Sequence, residues 1–252
     1  MPLIDRIDHG PVRELRMART PVNALDPALC AELAQAIDAA VRDGTQALVL
    51  SGGPKVFSAG LDVPHLLSLG EDAAALSAAW GTFFDAARAL AGSPVPVVAA
   101  IAGHAPAGGC VLALCCDYRI MASGPYRIGL NETQVGLVAP EGVQHLLARV
   151  VGPYRAERLL VSGELVDAER ALALGLVDEL TDIDHVVQRA LAWLEPLLQL
   201  PREPMLGTRA IARADLVAAL APERIGLARL LQAWSAPDTQ AGLRALVARL
   251  GK

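Results

Sequence analysis

Apolar and polar positions alternate over residues 3–8 and again over 12–17, and Gly10 and Pro11 separate the two runs. That pattern predicts a β-hairpin at the start of the fold. The period then lengthens. Asp26 suits a helix N-cap and Pro27 the first helical position, and LCAELAQAIDAAVRD keeps an apolar stripe at helical spacing until Gly44 stops it. ALVLSGG next predicts a buried strand ending in glycines, and residues 72–91 read as a helix. VPVVAAIAG, residues 95–103, is a continuous apolar run rich in Val, as expected of a strand covered on both faces. A helix over 107–116 and a strand over 118–122 follow.

Strands alternating with helices predict an α/β domain with right-handed crossovers up to about residue 180. Beyond it the pattern is helical throughout. Three amphipathic stretches, separated by LPREP and SAPD, predict a helical subdomain or an oligomerisation arm. The chain therefore divides into a core over 1–183 and a helical region over 184–252, with no internal repeat or flexible linker between them.

Composition narrows the class of function. With 53% hydrophobic and 19% charged residues the chain is not a disordered one, and its apolar runs are too interrupted to insert into a membrane. The first residues, MPLIDRIDHG, carry neither a secretory leader nor an Arg-rich transit pattern, so a cytoplasmic location is expected. A net charge of −5, with Lys55 and Lys252 as the two lysines and no Arg cluster, argues against nucleic-acid binding. Cys30, Cys110, Cys115 and Cys116 lack metal or redox spacing and are expected to be reduced, structural thiols.

Three segments carry candidate chemistry. In SGGPKVFSAGLD, residues 51–62, a strand ends in a glycine-rich loop whose free N–H groups either face an anion or simply make a βα turn. In IAGHAPAGGCVLALCCDYRIMA, residues 101–122, paired glycines open a helix, which serves either a ligand's close approach or close helix packing. In YRIGLNETQVGLVAPEG, Glu132 is the only charged side chain between Arg127 and Glu141. It is either a solvated loop residue or a base whose pKa burial tunes. His65, His104 and His145 fall near these segments without a partner at nucleophile or metal spacing.

In this order, the three segments resemble the crotonase (enoyl-CoA hydratase/isomerase) superfamily, from PVNALD at 21–26 through GELVDAERALALGLVDEL at 163–180. The resemblance implies a crotonase-type α/β fold, a spiral core of ββα units with a C-terminal helical region that makes a trimer or a dimer of trimers. It implies an acyl-CoA substrate and no metal or redox cofactor. The N–H groups of Leu61 and Gly108 would form an oxyanion hole. Phe57, Ser58, Ala59, Gly60 and Asp62, with Gly109 of the second segment, are implied as binding residues. Lys55 and Arg249 would approach the CoA phosphates.

The family's hydratases use two glutamates to hold and split a water; at the first of these positions this chain has Val111, and Glu132 keeps the second. One carboxylate suffices for a 1,3-proton shift. IGLNETQVGLVAP and PAGGC are also similar to the corresponding loops of mitochondrial-type Δ3,Δ2-enoyl-CoA isomerases. Isomerisation of 3-enoyl-CoA to trans-2-enoyl-CoA in fatty acid metabolism is therefore the leading expectation. Hydration or another enolate reaction is the nearest alternative, and a non-catalytic acyl-CoA-binding homologue comes from another class. Departures include Glu141 and Gly142 after AP and Leu246 at a common phenylalanine position; Glu141 is expected to be a solvated helix-start residue.

Overall fold

The structure is a computed structural model that describes residues 2–250, so the last two positions of the 184–252 region lie outside it. The hairpin forms as expected, β1 (Ile4–His9) pairing antiparallel with β2 (Val12–Met17). Helix α1 (Pro27–Arg42) starts at Asp26, whose side chain accepts from the Leu29 N–H at 2.8 Å. Strand β3 (Ala47–Ser51) follows, then the short β4 (Lys55–Val56) and helices α2 (Val63–Ser68) and α3 (Ala73–Ala91).

The strand expected over 95–103 forms as β5 (Val97–Ile101), and a further strand not expected from the sequence, β6 (Gly103–Pro106), starts at the end of that run in the other sheet. At its first residue β6 crosses close to β4, since a Cβ on Gly103 would lie 1.9 Å from the carbonyl carbon of Lys55. Helix α4 (Gly108–Leu114), β7 (Tyr118–Ala122) and β8 (Arg127–Gly129) complete the pattern. β3 with β4, β5 with β6 and β7 with β8 each send one strand to each sheet before a helix, which is the expected spiral of ββα units.

After β8 come α5 (Glu141–Val151), α6 (Pro153–Ser162), β9 (Val166–Asp167), α7 (Ala168–Leu174) and β10 (Glu179–Thr181). The larger sheet has the order β1-β2-β3-β5-β7-β10, parallel from β2 onward, and the smaller has β4-β6-β8-β9. Period-2 alternation assigns the faces of the larger sheet. Leu48 and Leu50 of β3 point into the main core with α1 and α3, and Ala47 and Val49 point to the other face.

That second face is closed by α8 (Val186–Leu198), through Val186, Ala190 and Leu194. The remaining helices are α9 (Arg202–Ala212), α10 (Ala214–Ala219), α11 (Pro222–Ile225), α12 (Leu227–Trp234) and α13 (Pro237–Leu250). Among the described residues six helices therefore occupy the region read as three amphipathic stretches, because the middle stretch breaks at Arg213, Ala221 and Gly226. They do not stand apart from the core, since Leu216, Leu220, Leu230 and Trp234 join its main hydrophobic cluster. No helix among the described residues is long and apolar enough to cross a membrane.

Two carboxylates inside this frame have full sets of partners. Asp117 accepts from the Val97 N–H at 2.8 Å, from Arg209 at 2.8 Å and from Arg213 at 3.0 Å, tying α9 to the end of α4. Glu14, 1% exposed, meets Ser51 Oγ at 2.6 Å, His9 Nε2 at 3.0 Å and Arg16 Nε at 3.0 Å. Burial alone would raise the Glu14 carboxyl, but these three hydrogen bonds outweigh it and hold it below its ordinary value. All four cysteines are buried free thiols, and burial pushes each of them up.

Candidate active site

The three segments read from the sequence converge on one cavity of about 410 Å³. The first arrives through a braced loop. Ser58 Oγ donates to the Asn23 carbonyl at 2.8 Å and accepts from the Gly60 N–H at 3.2 Å, while Asn23 Nδ2 donates to the Phe57 carbonyl. On either side of Leu61 the backbone is pinned to Leu25: the Leu25 N–H donates to Gly60 and the Asp62 N–H to Leu25. The Leu61 N–H itself has no protein acceptor among the described residues.

The second segment presents a matching donor. Ala107 precedes α4 with φ +46 and ψ −119, a conformation costly for a residue with a Cβ. The Gly108 N–H opens the helix and likewise finds no acceptor among the described residues. The two donors lie close together. A Cβ built on Gly60, whose φ is +85, would be 3.1 Å from Gly108 N, and one built on Gly108 would be 3.3 Å from Leu61 N. Glycine at both positions is what allows the loops to approach this closely.

Glu132 begins a short 3-10 turn, Glu132–Val135, and lines the same cavity. Its Oε2 is buried and has no hydrogen-bond partner among the described residues. Burial pushes its carboxyl up to about 7, and a hydrogen bond from its own backbone offsets only part of that. Val111, 2% exposed, supplies a methyl-bearing wall. The arrangement offers two free N–H donors for a developing negative oxygen and one carboxyl poised to take and return a proton near neutrality.

A family model described as "Enoyl-CoA hydratase/isomerase" matches residues 9–249. The chain belongs to the enoyl-CoA hydratase/isomerase family. It is 34% identical over 216 residues to human mitochondrial enoyl-CoA delta isomerase 1, covering 84% of this chain and 71% of that one. To the probable enoyl-CoA hydratase echA17 of Mycobacterium avium (strain 104) it is 40% identical over 197 residues, 78% of this chain and 76% of the relative. The crystal structure of human mitochondrial delta3-delta2-enoyl-CoA isomerase superposes with a TM-score of 0.93 at 31% identity, covering 99% of this chain and 98% of that one.

Within this enoyl-CoA hydratase/isomerase chain the other residues singled out from the sequence divide by position. Ala59 and Asp62 line the cavity with Leu61 and Gly108. Both oxygens of Asp62 are engaged, Oδ1 capping α2 through the His65 N–H at 2.9 Å and Oδ2 pairing with Arg19 at 2.7 Å. Phe57 and Ser58 are 0% exposed and shape the loop from behind, so their side chains do not reach the cavity. Gly109 also sits behind the wall, where a Cβ would be 2.5 Å from the Ser58 carbonyl oxygen. Its small size serves packing of α4 on the loop. Gly60 acts through the close approach described above.

Lys55 and Arg249 are exposed and lie outside the lining of the cavity. Glu141 is exposed at the start of α5, as expected of a solvated helix-start residue. None of His65, His104 and His145 lines the cavity, and His104 Nδ1 accepts the Arg127 N–H at 3.1 Å. Among the described residues no cluster of three or more His, Cys, Asp or Glu could hold a metal ion.

Sequence reasoning missed the aromatic wall. Trp80, Phe83 and Phe84 line the cavity from α3, and Trp234 does so from α12. Their signal was present in a chain with only 4% aromatic residues: Trp80, Phe83 and Phe84 follow i, i+3, i+4 spacing on one helical face. It also missed Asn131, beside Glu132, whose buried Oδ1 is without a partner among the described residues.

Proposed function

We propose that this chain shifts the double bond of a 3-enoyl-CoA to give the trans-2-enoyl-CoA, with Glu132 as the single acid/base and the Leu61 and Gly108 N–H groups as oxyanion donors. The thioester carbonyl lies between the two donors. The Glu132 carboxylate takes a proton from C2, and the electron pair moves onto the thioester oxygen as a dienolate. The same carboxyl returns the proton at C4, leaving the double bond between C2 and C3. Removing one such donor typically costs about 3–4 kcal/mol of barrier, and a positioned base contributes about 10²- to 10⁴-fold.

The observation that carries this reading is a carboxyl with one buried, unpartnered oxygen, raised to about 7, in the same cavity wall as the apolar Val111. Hydration is favoured by the similarity to the Mycobacterium avium relative, a probable enoyl-CoA hydratase. It needs a second group to handle the water, and the other carboxylate in the cavity wall, Asp62, has both oxygens occupied. The reaction requires no metal or redox cofactor, because the enolate is stabilised by hydrogen bonds alone. In this reading the protein works in the cytoplasm in acyl-CoA metabolism, as a homotrimer or a dimer of trimers.

An ultraviolet assay tests the reading with 3-hexenoyl-CoA and, separately, crotonyl-CoA, each alongside Glu132→Gln. The conjugated thioester should form from the first and be lost in the variant, with little hydration of the second. Rapid hydration of crotonyl-CoA would instead make Val111 a misleading guide. Binding of acyl-CoA without turnover of either would favour a non-catalytic homologue.

A further inference from the structure

A second cavity, of about 550 Å³, lies against the first on the side of α2, α12 and α13. The two have one lining residue in common, Trp234. Neighbouring residues on the same helices serve opposite sides of this boundary: Leu66 and Leu230 line the first cavity, Leu67 and Leu231 the second. The partition is thus one helical layer thick, and Trp234 is the residue in it that lines both spaces. The indole is 2% exposed and meets Trp80 edge-on, with ring centroids 6.0 Å apart. Gln240 Nε2 donates to the Trp234 carbonyl at 2.8 Å, fixing the end of α12.

We infer that Trp234 limits acyl-chain length by closing the catalytic cavity against this second space. The inference rests on the acyl-CoA reading above and adds a specificity-determining residue to it. Chains short enough to stop at the indole bind in the first cavity. Longer ones need the second cavity, whose far side is polar, with Glu71, Gln240 and Arg244 in its lining. Removing the indole joins the two spaces without touching Glu132, Leu61 or Gly108.

The test is calorimetric binding of saturated straight-chain acyl-CoAs of increasing length, which needs no turnover, repeated as kcat/KM with the matching 3-enoyl-CoAs. In the unaltered protein affinity should rise roughly fourfold per methylene and then stop rising at one length. Trp234→Ala should carry the rise to longer chains, two further methylenes alone amounting to roughly fifteenfold relative to the shortest acyl-CoA measured on the same variant. Trp234→Phe should keep the stop within about one methylene of its original place. Trp234→Leu asks the same question should the alanine variant fail to fold. An unmoved stop in Trp234→Ala, or a uniform loss at every length, would overturn the inference. Failure of the unaltered protein to bind any acyl-CoA would instead overturn the reading on which it rests.

Discussion

Glu14, buried, and Glu132, half-buried with one oxygen enclosed, are the same side chain in two settings with opposite results. Glu14 meets a hydroxyl, an imidazole and a guanidinium within 3.0 Å, and its carboxyl is held below the ordinary value. Glu132 has a buried oxygen with no partner among the described residues, and its carboxyl rises to about 7. Burial pushes both upward, so the partners decide the outcome. A carboxylate that completes a network is fixed in one charge state and braces the sheet. One with a buried oxygen left unpaired in a largely apolar cavity is free to exchange a proton near neutral pH.

Breaking each member of the pair should separate these roles. Glu132→Gln should lower kcat/KM for 3-hexenoyl-CoA by about 10²- to 10⁴-fold with little change in acyl-CoA affinity, measured by ultraviolet kinetics and calorimetry. The same variant should be more stable than the unaltered protein at pH 8. A carboxyl raised from 4.5 to about 7 is protonated in both folded and unfolded chains below about 4.5, and its cost to folding grows as pH rises from 4.5 to 7. Relief of that cost is worth up to about 3 kcal/mol at pH 8 and much less at pH 5, read from denaturant unfolding at the two pH values.

Glu14→Gln should do the reverse, destabilising the fold by about 1–3 kcal/mol while the folded fraction keeps its activity within a few-fold. The Glu14 contribution is present above the ordinary carboxyl range and is lost as pH falls through the depressed folded value, so the destabilisation should shrink in acid. The smallest effect concerns α13. Thr239, buried, donates its hydroxyl to the Gly136 carbonyl at 2.6 Å and so clamps the turn that carries Glu132. Thr239→Val should cost about 1 kcal/mol and lower kcat several-fold, more than it raises KM.

The same contrast explains what could be read from the sequence. The alternation in β1 and β2, the Asp26 cap and Pro27 start of α1, and the strand–glycine–helix order at 101–116 made the core legible, because local rules and tertiary packing agree there. The strand β6 that follows β5 was not legible, since it forms by pairing with Lys55 and Val56, remote in sequence. Among the candidates, Glu132, Leu61 and Gly108 reach one cavity, while Phe57, Ser58 and Gly109 of the same motifs sit behind its wall. A motif marks a loop, but the direction of each side chain is set by what the loop packs against. Trp80 and Trp234, about 150 residues apart, meet only through tertiary packing.

The most direct test of the account is the pH dependence of kcat/KM for 3-hexenoyl-CoA, which reports the ionisation of the free enzyme's essential base. The account predicts an ascending limb with its midpoint near 7, absent from the residual activity of Glu132→Gln. A rate already on its plateau from pH 5 upward, or a limb near 7 that survives in the variant, would contradict it.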